Sequence, residues 1–251
     1  MSRQARTQSK TDIYHVMMRG NNKQLIFRDD GDRRFFLRTL QECKDEGGFN
    51  IYAYCLMPNH VHILIRTGEM PLETVFRKIG TRYAGWFNYK YDRVGHLFQD
   101  RYKSENVEDE CYFLTVLRYI MQNPVKSGMV EHPADYRWSS SPDYASGTNR
   151  LVDIQYAVSV VGSLSKLNDF LRTNNNDHAM DVQAFEKKEK ENRAKEIMQK
   201  IADCNSPQDF RRLEKDDQKE CINKMRDAGL SMCMISRLTG ISKATISRMK
   251  L

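Results

Sequence analysis

Hydrophobic and polar positions along the N-terminal half of this chain switch between a period of two and a period near 3.6, and the switches outline its elements. Ile13 to Arg19 has strand character, and Gly20-Asn21-Asn22 supplies the turn that ends it. From Asp32 the spacing of Phe35, Phe36, Leu40 and Cys43 is helical. Asp29 to Asp32 offer acceptors to the first exposed amides, and Gly47-Gly48 stops the helix. Ile51 to Met57 reads as a second strand, Pro58-Asn59 as a turn, and His60 to Ile65 as the returning strand of a hairpin. Pro71 opens a long amphipathic helix with Leu72, Val75, Phe76, Ile79, Tyr83, Trp86 and Phe87 on its apolar face, as far as about Tyr91. The alternation from His96 to Lys103 predicts a fourth strand with Gln99, Arg101 and Lys103 on one face. Glu108 to Glu110 then lead into a helix from about Cys111 to Asn123, which Pro124 is expected to end. The order β-α-β-β-α-β-α fits an α+β fold, a ferredoxin-like antiparallel sheet with its helices on one face.

Beyond Pro133 the pattern weakens. Tyr136 to Pro142 reads as an irregular segment pinned by aromatics, and Ile154 to Leu171 has weak helical periodicity. Asn174 to Asp177 breaks it, and Glu186 to Glu196 mixes both charge signs densely, as a solvated helix or a linker would. The tail is clearer. Gln218 to Ala228 is helical, Met232 to Thr239 forms a short helix, Gly240-Ile241 a tight turn, and Ser242 caps a last helix to about Lys250. Ile235, Leu238, Ile241, Ile246 and Met249 would fill a small all-α helix-turn-helix core. The expected organisation is an α+β domain over 11–146, a helical connector or linker over 147–200, and a helix-turn-helix domain over 201–251.

Composition narrows the setting. No uncharged apolar stretch is long enough to cross a membrane and no signal-peptide core follows the polar start, so the expected location is cytoplasmic and nucleoid-associated. Six scattered cysteines without a Cys-x-x-Cys pair argue against a zinc ribbon and a disulfide framework. A formal charge of +7 favours a polyanionic partner.

Candidate chemistry concentrates in the hairpin. His60 and His62 share one strand face with Leu64 and Arg66, while Val61, Ile63 and Ile65 take the other, and two imidazoles on one face can clamp a divalent metal. Chance also places a His-x-His pair on a half-exposed strand, so the pair needs a further partner. On the later helix, steps of three and four put Tyr112, Val116, Tyr119 and Asn123 on one stripe. Alone, Tyr119 reads as a packing residue and Asn123 as a helix terminator. In the tail the last helix would expose Lys243, Thr245 and Arg248 toward a major groove and its phosphates.

Together, Tyr14-His15-Val16, Arg19-Gly20-Asn21, Met57-Pro58-Asn59-His60-Val61-His62, Gly95 to Lys103 and Arg118 to Val125 resemble the REP-associated tyrosine transposases, a branch of the single-tyrosine HUH endonuclease superfamily, over roughly Thr11 to Trp138. The resemblance implies the HUH endonuclease fold and a metal-dependent single-stranded DNA endonuclease and strand transferase, an enzyme acting on hairpin-containing DNA. It implies His60 and His62 as metal ligands, Tyr119 as the nucleophile that forms a 5′-phosphotyrosine, and Asn123 where related transposases use glutamine as a third ligand. The cofactor would be Mg²⁺ or Mn²⁺. Arg19, Asn21, Arg66, Arg101 and Lys103 are the candidate DNA contacts of the catalytic domain. The expected partner is DNA, single-stranded or hairpin at the catalytic domain and duplex at the tail. A homodimer also enters, because related enzymes include dimers that share the tyrosine helix. The alternative is a domesticated DNA-binding regulator with little or no turnover, and a third reading is a metal-dependent hydrolase that uses water and has no need of Tyr119.

Overall fold

The computed structural model describes residues 8–148, 150–173, 179 and 194–248. It divides into two compact units, Met1–Met180 and Asp181–Leu251. The first is built on four antiparallel strands, β1 (Ile13–Arg19), β2 (Asn50–Met57), β3 (His60–Arg66) and β4 (Lys103–Asn106), in the order β2-β3-β1-β4. Helix α1 (Asp30–Gly47) carries the chain from β1 to β2, and α2 (Leu72–Lys90) carries it from β3 to β4. Because β3 lies between β1 and β2, this is the split β-α-β arrangement of the ferredoxin-like fold, as the pattern predicts.

Pairing register sorts the side chains by face. Val16, Met18, Val61 and Ile63 share one face; His15, Met17, Arg19, His60, His62 and Cys55 share the other. Helix α2 lies on the first, where a Cβ on Gly80 would stand 3.3 Å from Met18 Cε. It packs against α1 through Phe35 stacked on Trp86, 4.1 Å between ring centres. Helix α3 (Glu110–Lys126) lies on the opposite face, so the expectation of helices on one face holds for α1 and α2 but not for α3. The reason is apolar surface on both partners. Phe113, Val116, Leu117 and Ile120 of α3 need cover, and the histidine face of the sheet is itself apolar at Met17, Cys55 and Met57.

Three further expectations are corrected. The fourth strand starts at Lys103, not His96. The register that pairs Met17 with Lys103 is not kept toward the end of β1: Gly20 bridges to Phe98, two residues out of step, so the chain leaves the ladder between Phe98 and Lys103, with the Gln99 amide donating to the Arg19 carbonyl. Pro124 lies inside α3, which continues to Lys126. Beyond it the amides of Ser127, Gly128 and Met129 close on the carbonyls of Asn123, Val125 and Pro124 and satisfy acceptors of the last turn. Finally, the first part of the expected connector belongs to the first unit. After α4 (Ser141–Ser146), helices α5 (Gln155–Val161) and α6 (Leu164–Arg172) bury Ala157, Leu167 and Leu171 in its core, and Gln122 Nε2 donates to the Leu171 carbonyl at 2.7 Å. Their periodicity is weak in sequence because both are short and Gly162, at φ +95°, interrupts them. The charged run from Glu186 lies outside the described residues as far as 193.

The second unit contains α7 (194–202), α8 (Pro207–Arg211), α9 (Lys215–Asp227), α10 (Met232–Thr239) and α11 (Lys243–Arg248). Phe210, Ile222, Met225, Ile235, Leu238 and Ile246 form its core, with Ile241 packed against it. Gly240, at φ +68°, makes the turn between α10 and α11, and the Ser242 hydroxyl accepts from the Thr245 amide at 3.1 Å to open α11. Met249 and Lys250 of the expected core and last helix lie outside the described residues.

Candidate active site

The site is assembled from β1, β3 and α3. The hairpin turn before His60 is braced from outside: the Ile26 and Phe27 amides donate to the Pro58 carbonyl at 2.9 and 3.1 Å, and the Tyr83 hydroxyl donates to the Ile26 carbonyl. His60 Nδ1 meets Asn59 Oδ1 at 2.7 Å. His60 and His62 then stand on the same face with ring centres 5.0 Å apart.

On the neighbouring strand His15 pairs with Leu64, so it is the diagonal neighbour of His62. His15 Nε2 lies 2.9 Å from His62 Nδ1. Both rings are fully buried, and that burial pushes both imidazoles below their ordinary value, His62 strongly, so both are neutral. His62 Nε2 is buried without a hydrogen-bond partner. From β4, Glu105 reaches His15 Nδ1 at 3.8 Å, and the Tyr112 hydroxyl of α3 donates to the same carboxylate.

Asp109 caps α3 by accepting from the Tyr112 amide at 2.7 Å. The stripe through Val116, Tyr119 and Asn123 turns toward the sheet, and Tyr119 stands edge-on to His62 with ring centres 5.6 Å apart, and to His15 at 5.9 Å. The Lys126 ammonium lies 5.5 Å from the centre of the same tyrosine ring. Asn123, one turn beyond Tyr119, is as nearly buried as the tyrosine itself. Among the described residues no three His, Cys, Asp or Glu side chains converge into a metal-holding group. A metal held by His60 and His62 would therefore take its remaining donors from an amide or from solvent.

The candidate DNA contacts are scattered. Arg19 pairs directly with His60, Lys103 pairs with Met17 beside His62, and the Asn21 amide donates to the Leu97 carbonyl at the His60 end of the sheet. Arg101 precedes β4 and lies 3.8 Å from Glu73. Arg66 closes the far end of β3. In the second unit Lys243, Thr245 and Arg248 are exposed on α11. Sequence reasoning missed three members of the cluster: His15, Glu105 and Lys126. For His15 the signal was present, since alternation along Ile13 to Arg19 puts it on the face of Met17 and Arg19. Glu105 was hidden by the misplaced strand, and Lys126 by ending the helix at Pro124.

The ferredoxin-like sheet thus holds a His-x-His pair against a helix-borne tyrosine, and the chain is similar to known proteins that are described as tyrosine transposases. Residues 8–123 match the family described as Transposase IS200 like. A Haemophilus influenzae protein assigned as a REP-associated tyrosine transposase is 27% identical over 152 residues, which cover 56% of this chain and 85% of that protein. The structure of a REP-associated tyrosine transposase bound to a REP hairpin is similar with a TM-score of 0.48 at 21% identity, over 61% of this chain and 93% of the other. A Deinococcus radiodurans protein assigned as a transposase gives a TM-score of 0.34 at 15% identity, over 50% of this chain and 97% of the other. Among the described residues no helix is long and apolar enough to cross a membrane.

Proposed function

We propose that this chain is a metal-dependent single-stranded DNA endonuclease and strand transferase that acts on hairpin-containing DNA through a 5′-phosphotyrosine intermediate. The observation that carries the reading is Tyr119 standing edge-on to His62, 5.6 Å between ring centres, within a single chain. The phenol oxygen of Tyr119 attacks the scissile phosphorus, the bond from phosphorus to the 3′ oxygen breaks, and the strand is left with a 3′-hydroxyl and a tyrosine-linked 5′ phosphate. The link conserves the phosphodiester energy, so attack by a 3′-hydroxyl rejoins strands. The phenolic proton passes through solvent to the departing 3′ oxygen, and the Lys126 ammonium, 5.5 Å from the ring centre, adds positive charge beside the attacking tyrosine.

His60 and His62 would hold the metal, with Asn123 as the third protein donor. The buried, unpartnered Nε2 of a neutral His62 is what a metal ligand requires. When bound, Mg²⁺ or Mn²⁺ polarises the phosphoryl oxygen and offsets the charge that develops on it. Arg19, Asn21, Arg66, Arg101 and Lys103 are the proposed DNA contacts of the first unit, and Lys243, Thr245 and Arg248 those of a duplex-binding helix-turn-helix, in a cytoplasmic, nucleoid-associated protein. Because Tyr119 meets the histidines of its own chain, the reading does not require α3 to be exchanged between subunits of a homodimer.

The test is incubation with Mn²⁺ or Mg²⁺ and labelled single-stranded hairpin DNA from beside the gene, followed by denaturing electrophoresis. A covalent adduct that is lost in Tyr119→Phe and in His60→Ala is expected. Cleavage that survives Tyr119→Phe would instead mean hydrolysis by water. Tight binding without an adduct across these substrates would overturn the proposal in favour of a DNA-binding regulator.

A further inference from the structure

His15 has no part in the chemistry proposed above, yet its ring is fully buried and its Nε2 lies 2.9 Å from His62 Nδ1. A neutral imidazole has one N–H and one lone pair, so the direction of this hydrogen bond decides which nitrogen of His62 can bind a metal. Two arrangements satisfy the contact. If His62 donates from Nδ1, His15 accepts at Nε2, carries its own proton on Nδ1, and leaves the His62 Nε2 lone pair available. If His15 donates instead, His62 Nε2 becomes a buried N–H, and no acceptor faces it. His15 Nδ1 would then also turn a lone pair toward Glu105 Oε2 at 3.8 Å. That separation exceeds a hydrogen bond, but at this range a carboxylate attracts an N–H and repels a lone pair. Both ends of the chain of contacts therefore favour the first arrangement.

We propose that His15, biased by Glu105 across the β1–β4 ladder, is a positioning residue that holds His62 in its Nδ1–H tautomer and aims the Nε2 lone pair at the metal ion. This rests on the metal-dependent reading above. Metal-bound histidines generally donate their second N–H to a fixed acceptor, and loss of that acceptor weakens metal binding by about 10–100-fold. Here the acceptor is a second histidine, placed diagonally by strand register.

The test uses the full chain labelled with ¹⁵N at histidine. Long-range ¹H–¹⁵N spectra of the metal-free protein, assigned by the signals lost in His62→Asn, read the tautomer directly, and electron paramagnetic resonance follows Mn²⁺ binding. Wild type should show His62 in the Nδ1–H form. His15→Leu, which offers no acceptor, should populate both tautomers and weaken Mn²⁺ binding about 10–100-fold. His15→Gln, whose amide oxygen can accept near the Nε2 position, should keep the tautomer and most of the affinity. An Nε2–H tautomer in wild type overturns the inference, as does equal weakening by Leu and Gln. If His15→Leu fails to fold, the wild-type tautomer and the Gln variant still decide. Absence of Mn²⁺ binding by wild type would overturn the metal reading, while the tautomer in the metal-free protein decides the role of His15 separately.

Discussion

Asp32 is fully buried at the start of α1, and its carboxylate gathers four donors: the Arg28 amide at 2.6 Å, the Asp29 amide at 3.1 Å, Lys90 Nζ at 2.7 Å and the Tyr91 hydroxyl at 2.9 Å. Asp32→Ala removes the acceptor for all four. Breaking a buried charged pair by deleting one partner costs about 3–5 kcal/mol. Lys90 is partly relieved, because its ammonium already reaches Asp29 Oδ2 at 2.7 Å. The two backbone amides have no such alternative and cost roughly 1–3 kcal/mol each where they stay dry. A loss near the lower end, about 3 kcal/mol, is therefore expected. For a unit of this size it lowers the melting temperature by about 6–12 °C. Both tryptophans, Trp86 and Trp138, lie in the first unit, so tryptophan fluorescence follows its melting separately from the second. Asp32→Asn keeps one oxygen acceptor and should lose roughly half as much. A melting temperature of Asp32→Ala within about 2 °C of wild type would refute the reasoning. The consequence reaches the site, because residues 26 and 27, just before the freed amides, brace the Pro58 carbonyl ahead of His60.

The remaining predictions concern charge and chemistry. Lys90 beside Asp29, together with the Asp32 amide, holds the Asp29 carboxyl down to about 2. A folded-state value below the unfolded one adds stability above the usual carboxylate range and loses it as pH falls toward about 2, so Asp29→Asn should flatten the acid limb of a melting-temperature profile. Tyr119→Phe should abolish the adduct while costing less than about 1.5 kcal/mol, since the ring contacts remain; a large loss of stability in a urea titration would mean that the hydroxyl is structural. Lys243→Ala with Arg248→Ala should weaken duplex binding and reduce the slope of log K against log salt by about 2, and an unchanged slope in fluorescence anisotropy would remove α11 from the interface. Arg19→Ala should reduce both binding of single-stranded DNA and adduct formation, whereas Arg66→Ala should affect binding at most. Equal loss of adduct would mean that the strand runs the length of the sheet.

Where hydrophobic period and turn chemistry coincide, the elements could be read from the chain. Asp29 to Asp32 do form a capping box at α1, Gly48 does take the left-handed conformation at its end, and the His60 hairpin lies where Pro58-Asn59 implied. The failures have a common cause in partners that the local sequence does not contain. The alternation of residues 96–102 resembles a strand, but the register that pairs Met17 with Lys103 slips by two residues before the Gly20–Phe98 bridge, so the segment leaves the ladder. Pro124 is a helix breaker by composition, yet the helix runs on to Lys126 and is closed by the amides of Ser127, Gly128 and Met129. The fall of α3 onto the histidine face depends on apolar surface contributed by Met17, Cys55 and Met57, residues from two other strands. For the candidate site, His60, His62 and Tyr119 could be paired from motif and helical spacing. The contact of His15 with His62 could not, because it needs the β1–β3 register.

Burial changes in one direction across the candidate site, and this limits how a nucleic acid strand could reach it. His62 is fully buried and Tyr119 is 9% exposed, while His60, next along the strand toward the hairpin turn, is only half-buried. With α3 over the histidine face, a phosphate approaches from the end of the sheet that carries His60. Arg19 pairs with His60 there, and Asn21 follows in the turn held to Leu97. Arg66 is on the same face of β3 but six positions on, about 20 Å away at strand rise. It cannot touch the phosphate that Tyr119 attacks, although it could hold a strand further along. The basic residues that share a face in sequence are thus split by geometry into those beside the proposed chemistry and those that would only lengthen the footprint. The Arg19 and Arg66 variants separate these two roles because adduct formation depends on the phosphate at His60, whereas affinity sums over the whole bound strand.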